Sequence, residues 1–247
     1  MPILTTDNYR KTKNLSAGIY EVRQDPWWLP SGVSESDVLA AYQFKNAISE
    51  TYSFYNLVNS SAYLLSKNNA SVTWTIDKGI YIPGDNSWEV GLVGFNRGYV
   101  SCAIRFSDVD VNANTEVGLT SPIDGYYLMA KTAVGANPGT FYKTPGFSTA
   151  TGDNQSASRS NEPMANGVLG YTRSLGKLYQ NGQLKSLTTY TWSGAYYEYP
   201  FSIGQASRQP QGPYRTLGTV YIQAAVFYNV ALSDSQHVEL AEKMNAI

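Results

Sequence analysis

One cysteine and one histidine are all that this chain of 247 residues offers to thiol and imidazole chemistry. With Cys102 alone, no intramolecular disulfide can form. Zinc centres built from Cys and His, Cys-His pairs and Ser-His-Asp triads need several such groups together. Cys102 and His237 are far apart in sequence, and each has a structural place in its own pattern. Charge is scarce too, at 15% of residues, with a formal net charge of −1 and a pI near 5.9. That removes the electrostatic case for nucleic acid or an anionic membrane as partner. No run approaches the roughly 18 apolar residues of a membrane span. The opening "MPILTTDNYRKTKN" has no hydrophobic signal core, so the expectation is a protein made in a cytoplasm and released, where it is released, by a route such as lysis. A glycine-rich phosphate loop is also missing.

What is abundant is material for a core. Hydrophobic residues make up 43% of the chain, enough for one large β-sandwich at this length. Tyrosine is the unusual residue, with 20 copies against 8 Phe and 5 Trp. Its apolar ring and polar tip suit surfaces that contact sugars or proteins, although sheets favour aromatics anyway and most of these should be structural.

Alternation defines the strands. Residues 98–107 carry Val100, Cys102, Ile104 and Phe106 on one face, and Val72, Trp74 and Ile76 repeat the period two. Residues 36–47 and 126–134 read as further strands, and residues 53–66 as a loop returning into a short one. In "GKLYQNGQLK" two short alternating runs flank Asn181-Gly182, the pair that a type I′ hairpin turn requires. Residues 201–207 are a strand, and residues 218–232 are apolar and β-branched enough to be buried on both faces. A terminal helix opens on Ser233 with Gln236 three positions later, a capping box, and has Asp234 in its first turn.

The order of Tyr179, Asn181 and Gly182, then Ile203 and Gly204, then Tyr228, Asn229, Ala231, Leu232 and Ser233 resembles the C-terminal half of laminin-G-like domains. The resemblance implies an all-β fold: a two-sheet antiparallel jelly-roll sandwich of concanavalin A-like type, with a short C-terminal helix. The matched residues are turn formers, core residues and a cap, so they speak to fold and not to ligand.

Before the expected domain of residues 33–247, residues 1–32 read as an extended N-terminal arm. Pro26 and Pro30 bracket Trp27 and Trp28, two rings that need a destination. Three are open: the same sandwich, a neighbouring subunit in an assembly, or a ligand.

Three further stretches are candidates for binding. After Phe106 a row of Asp108, Asp110, Asn112, Asn114 and Glu116 offers hard oxygens that would suit calcium. Against that, Ala113 stands where a calcium loop needs glycine, and Val109 and Val111 favour an extended, solvated row. Asp85, Asn86 and Trp88 sit in a turn after "YIPG". Tyr190, Trp192, Tyr196, Tyr197 and Tyr199 crowd the segment before Phe201, with rings that could stack on sugars or anchor a protein interface, unless alternation buries Tyr190 and Trp192. Residues 135–166 are the most loop-like stretch.

Some concanavalin A-type jelly rolls are glycanases with two glutamates flanking an aspartate on one strand, because retaining hydrolysis needs paired carboxyls. Glu89, Glu116, Glu162, Glu198, Glu239 and Glu242 show no such spacing, so no catalytic residue is expected. The remaining classes are a glycan-binding module, free-standing or extracellular, and a structural protein of an assembly. Signal-free, cysteine-poor laminin-G-like domains resemble those of bacteriophage virions, in capsid decoration, head-fibre or tail proteins. The resemblance therefore implies a non-enzymatic virion component, partnered by itself or other virion proteins, with glycan as ligand and no cofactor beyond calcium at Asp108, Asp110 and Asn112.

Overall fold

The computed structural model describes residues 26–83, 89–95, 98–109, 116–121, 125–131, 146–147, 155–156, 166–175, 177–187, 201–206 and 219–247. In chain order these form β1 (Val38–Gln43), the one-turn helix α1 (Glu50–Ser53), β2 (Ser66–Lys67), β3 (Thr73–Thr75), β4 (Gly79–Ile82), β5 (Glu89–Phe95) and β6 (Ser101–Ser107). There follow β7 (Glu116–Ser121), β8 (Gly125–Lys131), β9 (Gly146–Phe147), β10 (Gln155–Ser156), β11 (Gly167–Thr172) and β12 (Lys177–Gln180). The chain closes with β13 (Gln183–Leu187), β14 (Phe201–Ala206), β15 (Val220–Tyr228) and helix α2 (Asp234–Asn245).

Among the described residues two antiparallel sheets stack. The larger runs β13-β12-β11-β6-β15-β4-β3, with β1 also on β15, and the smaller runs β2-β5-β14-β7-β8. Among the described residues β9 and β10 form a separate two-stranded pair. β1 and β4 share one edge of β15. Gln43 pairs with Ala224, Ile80 pairs with Ile222, and the Gln223 carbonyl between them accepts the N–H groups of Phe44 and Lys45. A register shift at Gln223 lets Val220 and Ile222 face inward before it and Ala225 and Phe227 after it.

The core between the sheets takes the expected alternating sets. Cys102, Ile104 and Phe106 of β6 meet Tyr42, Ile80, Ile222 and Phe227 from the large sheet and Leu92, Phe95 and Ile203 from the small one. Val100 precedes the strand and is half-buried. Ile76 breaks its predicted alternation: β3 ends at Thr75, the chain turns, and Ile76 is half exposed while its carbonyl accepts the Asn46 N–H. Residues 53–66, predicted as a loop returning into a short strand, start on the last residue of α1, which Ser49 caps, and end on β2.

The outer face of the large sheet holds a second core. Ala41, Ala103, Val168, Ala224, Val226 and Tyr228 lie under Leu240, Ala241 and Met244 of α2 and under Trp27 and Trp28. Covering both faces there explains why β15 is apolar from Ala224 to Phe227. Trp27 and Trp28 are 3% and 4% exposed, edge to face at 5.7 Å. Trp27 Nε1 donates to Gln43 Oε1, and the Trp28 carbonyl accepts the Tyr228 hydroxyl. Of the three destinations the rings take the first, the chain's own sandwich. Rings so enclosed leave little surface for the other two destinations, an assembly contact or a ligand. Helix α2 fixes the same segment: Glu239 accepts from Ser31 N and Oγ, Gln236 donates to the Ser31 carbonyl and Lys243 to the Leu29 carbonyl.

Candidate functional site

The strand ends define two rims. At the first, β5 ends at Phe95 and β6 begins at Ser101, β13 ends at Leu187 and β14 begins at Phe201, and Phe201 pairs with Phe95. At the second, β4 ends at Ile82 and β5 begins at Glu89, β6 ends at Ser107 and β7 begins at Glu116, and β14 ends at Ala206 and β15 begins at Val220. Trp192, Tyr196, Tyr197 and Tyr199 lie outside the described residues, as do Asp85, Asn86, Trp88, Asp110 and Asn112. Their flanking strands are described. The segment with Trp192 is attached at the first rim, and those with Asp85 and with Asp108 at the second. The sequence candidates for glycan therefore attach at opposite ends of the sandwich.

Asp108 is described, just beyond the end of β6, with a φ of 51° that leaves the strand conformation. Its Oδ2 accepts from Lys78 Nζ at 2.9 Å, an ion pair whose side chains are about half exposed. The hydrogen bond to Asp108 and its charge raise the Lys78 ammonium above its usual pKa. A side-chain cation thus already occupies this carboxylate. Among the described residues no group of three His, Cys, Asp or Glu stands close enough to hold a metal.

Lys78 also lies 5.0 Å from the centre of the Tyr221 ring, and Tyr221 lies 5.1 Å from Tyr81. Nothing in the sequence marked these three residues. They come together only through the pairing of β4 with β15, a long-range register that local patterns do not encode.

His237, on the first turns of α2, sits in a buried network against the outer face. Its ring stacks on Tyr179 at 3.8 Å and its Nε2 is 2.8 Å from Thr172 Oγ1. Ser101 Oγ donates to Thr172 Oγ1 and accepts from the Leu232 N–H. Gly170 lies beneath the imidazole, and a Cβ there would stand 2.7 Å from Nδ1. Asp234 Oδ1 accepts from both Lys177 Nζ and Tyr179 Oη at 2.7 Å. Those hydrogen bonds, Lys177's first, hold the Asp234 carboxyl below its usual range against the opposing effect of burial. Burial pushes the imidazole down to about 3, with Asp234 opposing and Lys177 adding. A neutral, enclosed imidazole of this kind clamps a helix to a sheet.

No family model matches the chain, and no curated protein matches it. Solved structures do. Trypanosoma rangeli sialidase aligns with a TM-score of 0.53 at 14% identity, over 97% of this chain and 37% of that one. A structure of botulinum neurotoxin type C aligns with a TM-score of 0.53 at 12% identity, over 85% of this chain and 52% of that one. The receptor binding domain of botulinum neurotoxin D aligns with a TM-score of 0.53 at 12% identity, over 84% of this chain and 53% of that one. The chain spans little more than a third of the sialidase and about half of each toxin chain. At such identities the likeness is one of fold: this is an all-β jelly-roll sandwich of two antiparallel sheets with a short C-terminal helix.

Proposed function

We propose that the chain is a non-catalytic, lectin-like module that binds glycan at the rim where residues 188–200 join β13 to β14. One observation carries this reading. The stretch richest in exposed-type aromatics, with Tyr190, Trp192, Tyr196, Tyr197 and Tyr199, is anchored at Leu187 of an edge strand and at Phe201 of an inner strand of the other sheet. A connection between sheets at a rim is where a sandwich can present rings to a ligand without disturbing its core. The sheet faces offer less room, since α2 and residues 26–32 cover part of the large one.

Two further facts support it. His237 and Cys102, the only residues of their kinds, are both enclosed in packing, which argues against their use in catalysis. Among the proteins of similar fold, cell entry of botulinum neurotoxin type C depends on interaction with two ganglioside molecules. The reading extends to a setting: a bacteriophage virion, where the module would serve as capsid decoration, head fibre or tail component. That setting rests on the resemblance to laminin-G-like virion domains together with the scarcity of cysteine.

A glycan array probed with the wild type and with Trp192→Ala tests the binding reading. Retention of a glycan class by the wild type and its loss in the variant is the expected result; retention of none overturns it. For the setting, light scattering of the full chain should show self-association or capture by purified particles, and a solitary monomer that no particle retains would end it.

A further inference from the structure

The part of the large sheet that α2 leaves open carries a row of side chains across four strands. Thr73 of β3 pairs with Tyr81 of β4, Tyr81 with Tyr221 of β15, and Tyr221 with Ser107 of β6. Ile80, Ile82, Val220, Ile222 and Phe106 fill the core between the sheets, so strand alternation turns this row outward. Thr73 is exposed and the other three are half-buried. The Tyr81 and Tyr221 rings meet at 5.1 Å with a 49° tilt.

Arg105 leaves the same face of β6 two residues before Ser107, between its partners Val168 and Ala224, both of them buried. That register sets it diagonal to Tyr221, a separation of roughly 7–8 Å between backbones. Arg105 is half-buried, and among the described residues its Nη1 is closed off from solvent and has no hydrogen-bond partner. Burial disfavours its charge, lowering the pKa, yet an arginine does not lose its proton in a folded protein. A partly desolvated cation without an acceptor is costly, and a ligand carboxylate that reaches this guanidinium would supply the missing charge. Lys78 stands on the same strip, shared with Asp108. A carboxylate receiver beside paired aromatic rings matches a sugar acid, whose ring can lie on a tyrosine while its acid group meets the guanidinium.

We propose that Tyr81, Tyr221 and Arg105 form a binding strip for acidic glycan, recognising the carboxylate of a uronic-type sugar. The proposal rests on the glycan-binding reading above but puts a site on the sheet face, away from the Trp192 rim. Calorimetric titration of the full chain with tri-galacturonic acid, with its methyl ester and with a sulfated neutral trisaccharide tests it. The acid should bind, Arg105→Ala and Tyr221→Ala should each weaken it about tenfold or more, and the ester and the sulfated sugar should bind far more weakly. Because the ester experiment uses the unaltered protein, it decides the matter even if Arg105→Ala does not fold. Equal binding of acid and ester, or unchanged affinity in Arg105→Ala, overturns the strip. If that happens while Trp192→Ala abolishes retention on the array, the rim reading stands alone. If the wild type retains no glycan of any kind, both fall.

Discussion

A single imidazole makes the acid stability of this protein unusually easy to interpret. His237 is 2% exposed and its pKa falls from the ordinary 6.5 to about 3 when the chain folds. The unfolded chain therefore takes up a proton below pH 6.5 that the folded chain refuses. The stability from the neutral ring is complete above pH 6.5 and is lost as pH falls from there toward 3, at about 1.4 kcal/mol per unit. Urea unfolding of the wild type between pH 7.5 and 5.5 should show this decline beginning near 6.5. In His237→Gln it should be absent, since no second histidine exists to produce it. An equally steep decline in the variant would reassign the effect to carboxylates. Cys102 supports a companion test. With no exposed surface in the core between the sheets, it should react with a thiol reagent only after denaturant has opened the fold.

The same residues mark how far local sequence reaches. That Cys102 points inward with Ile104 and Phe106 is legible from alternation, which needs only the identity of near neighbours. The place of His237 over Gly170, against Tyr179 and Thr172, is not legible, because it depends on how α2 lies across β11 and β12. The helix and its histidine are legible in the sequence, and what the ring touches is not.

At the scale of elements, the hairpin and the terminal helix were both readable because turns and caps are local chemistry. Asn181 and Gly182 have φ of 49° and 78°, both positive as a type I′ turn demands. Ser233 Oγ accepts from the Gln236 N–H while Gln236 Oε1 accepts from the Ser233 N–H, so the capping box forms in full. What the sequence did not reveal is that these two elements dock on each other. A Cβ at Gly182 would stand 2.6 Å from Val238 Cα of α2. Gly182→Ala should thus both strain the turn and push the helix away, with a loss of about 1–3 kcal/mol by denaturant unfolding. Ser233→Ala removes only the cap and should cost about 1 kcal/mol. If the glycine change proves as mild as the cap change, the contact between turn and helix is not tight.

For the whole molecule, the two-sheet architecture was legible because each sheet has a face that alternation reveals, and the outer core was not. Trp27 and Trp28 had three open destinations, and the chosen one depends on Ala41, Ala103 and Ala224 leaving room on a sheet assembled from distant segments. The candidate sites fared similarly: the rings and carboxylates were visible, but their grouping by rim follows from strand order alone. β15 spans nine residues, so at roughly 3.3 Å each the rims are about 30 Å apart. The segment with Trp192 is attached at one and that with Trp88 at the other, and no monosaccharide or disaccharide spans the distance between these attachment points. For one short glycan that is retained, Trp192→Ala and Trp88→Ala should therefore not both weaken binding, and the double variant should match the more damaging single one, as expected for sites that share no partner. Fluorescence titration of the four proteins with one disaccharide measures this. Losses in both single variants, with coupling between them, would mean that the two segments converge on one site, and the division by rims would no longer describe recognition.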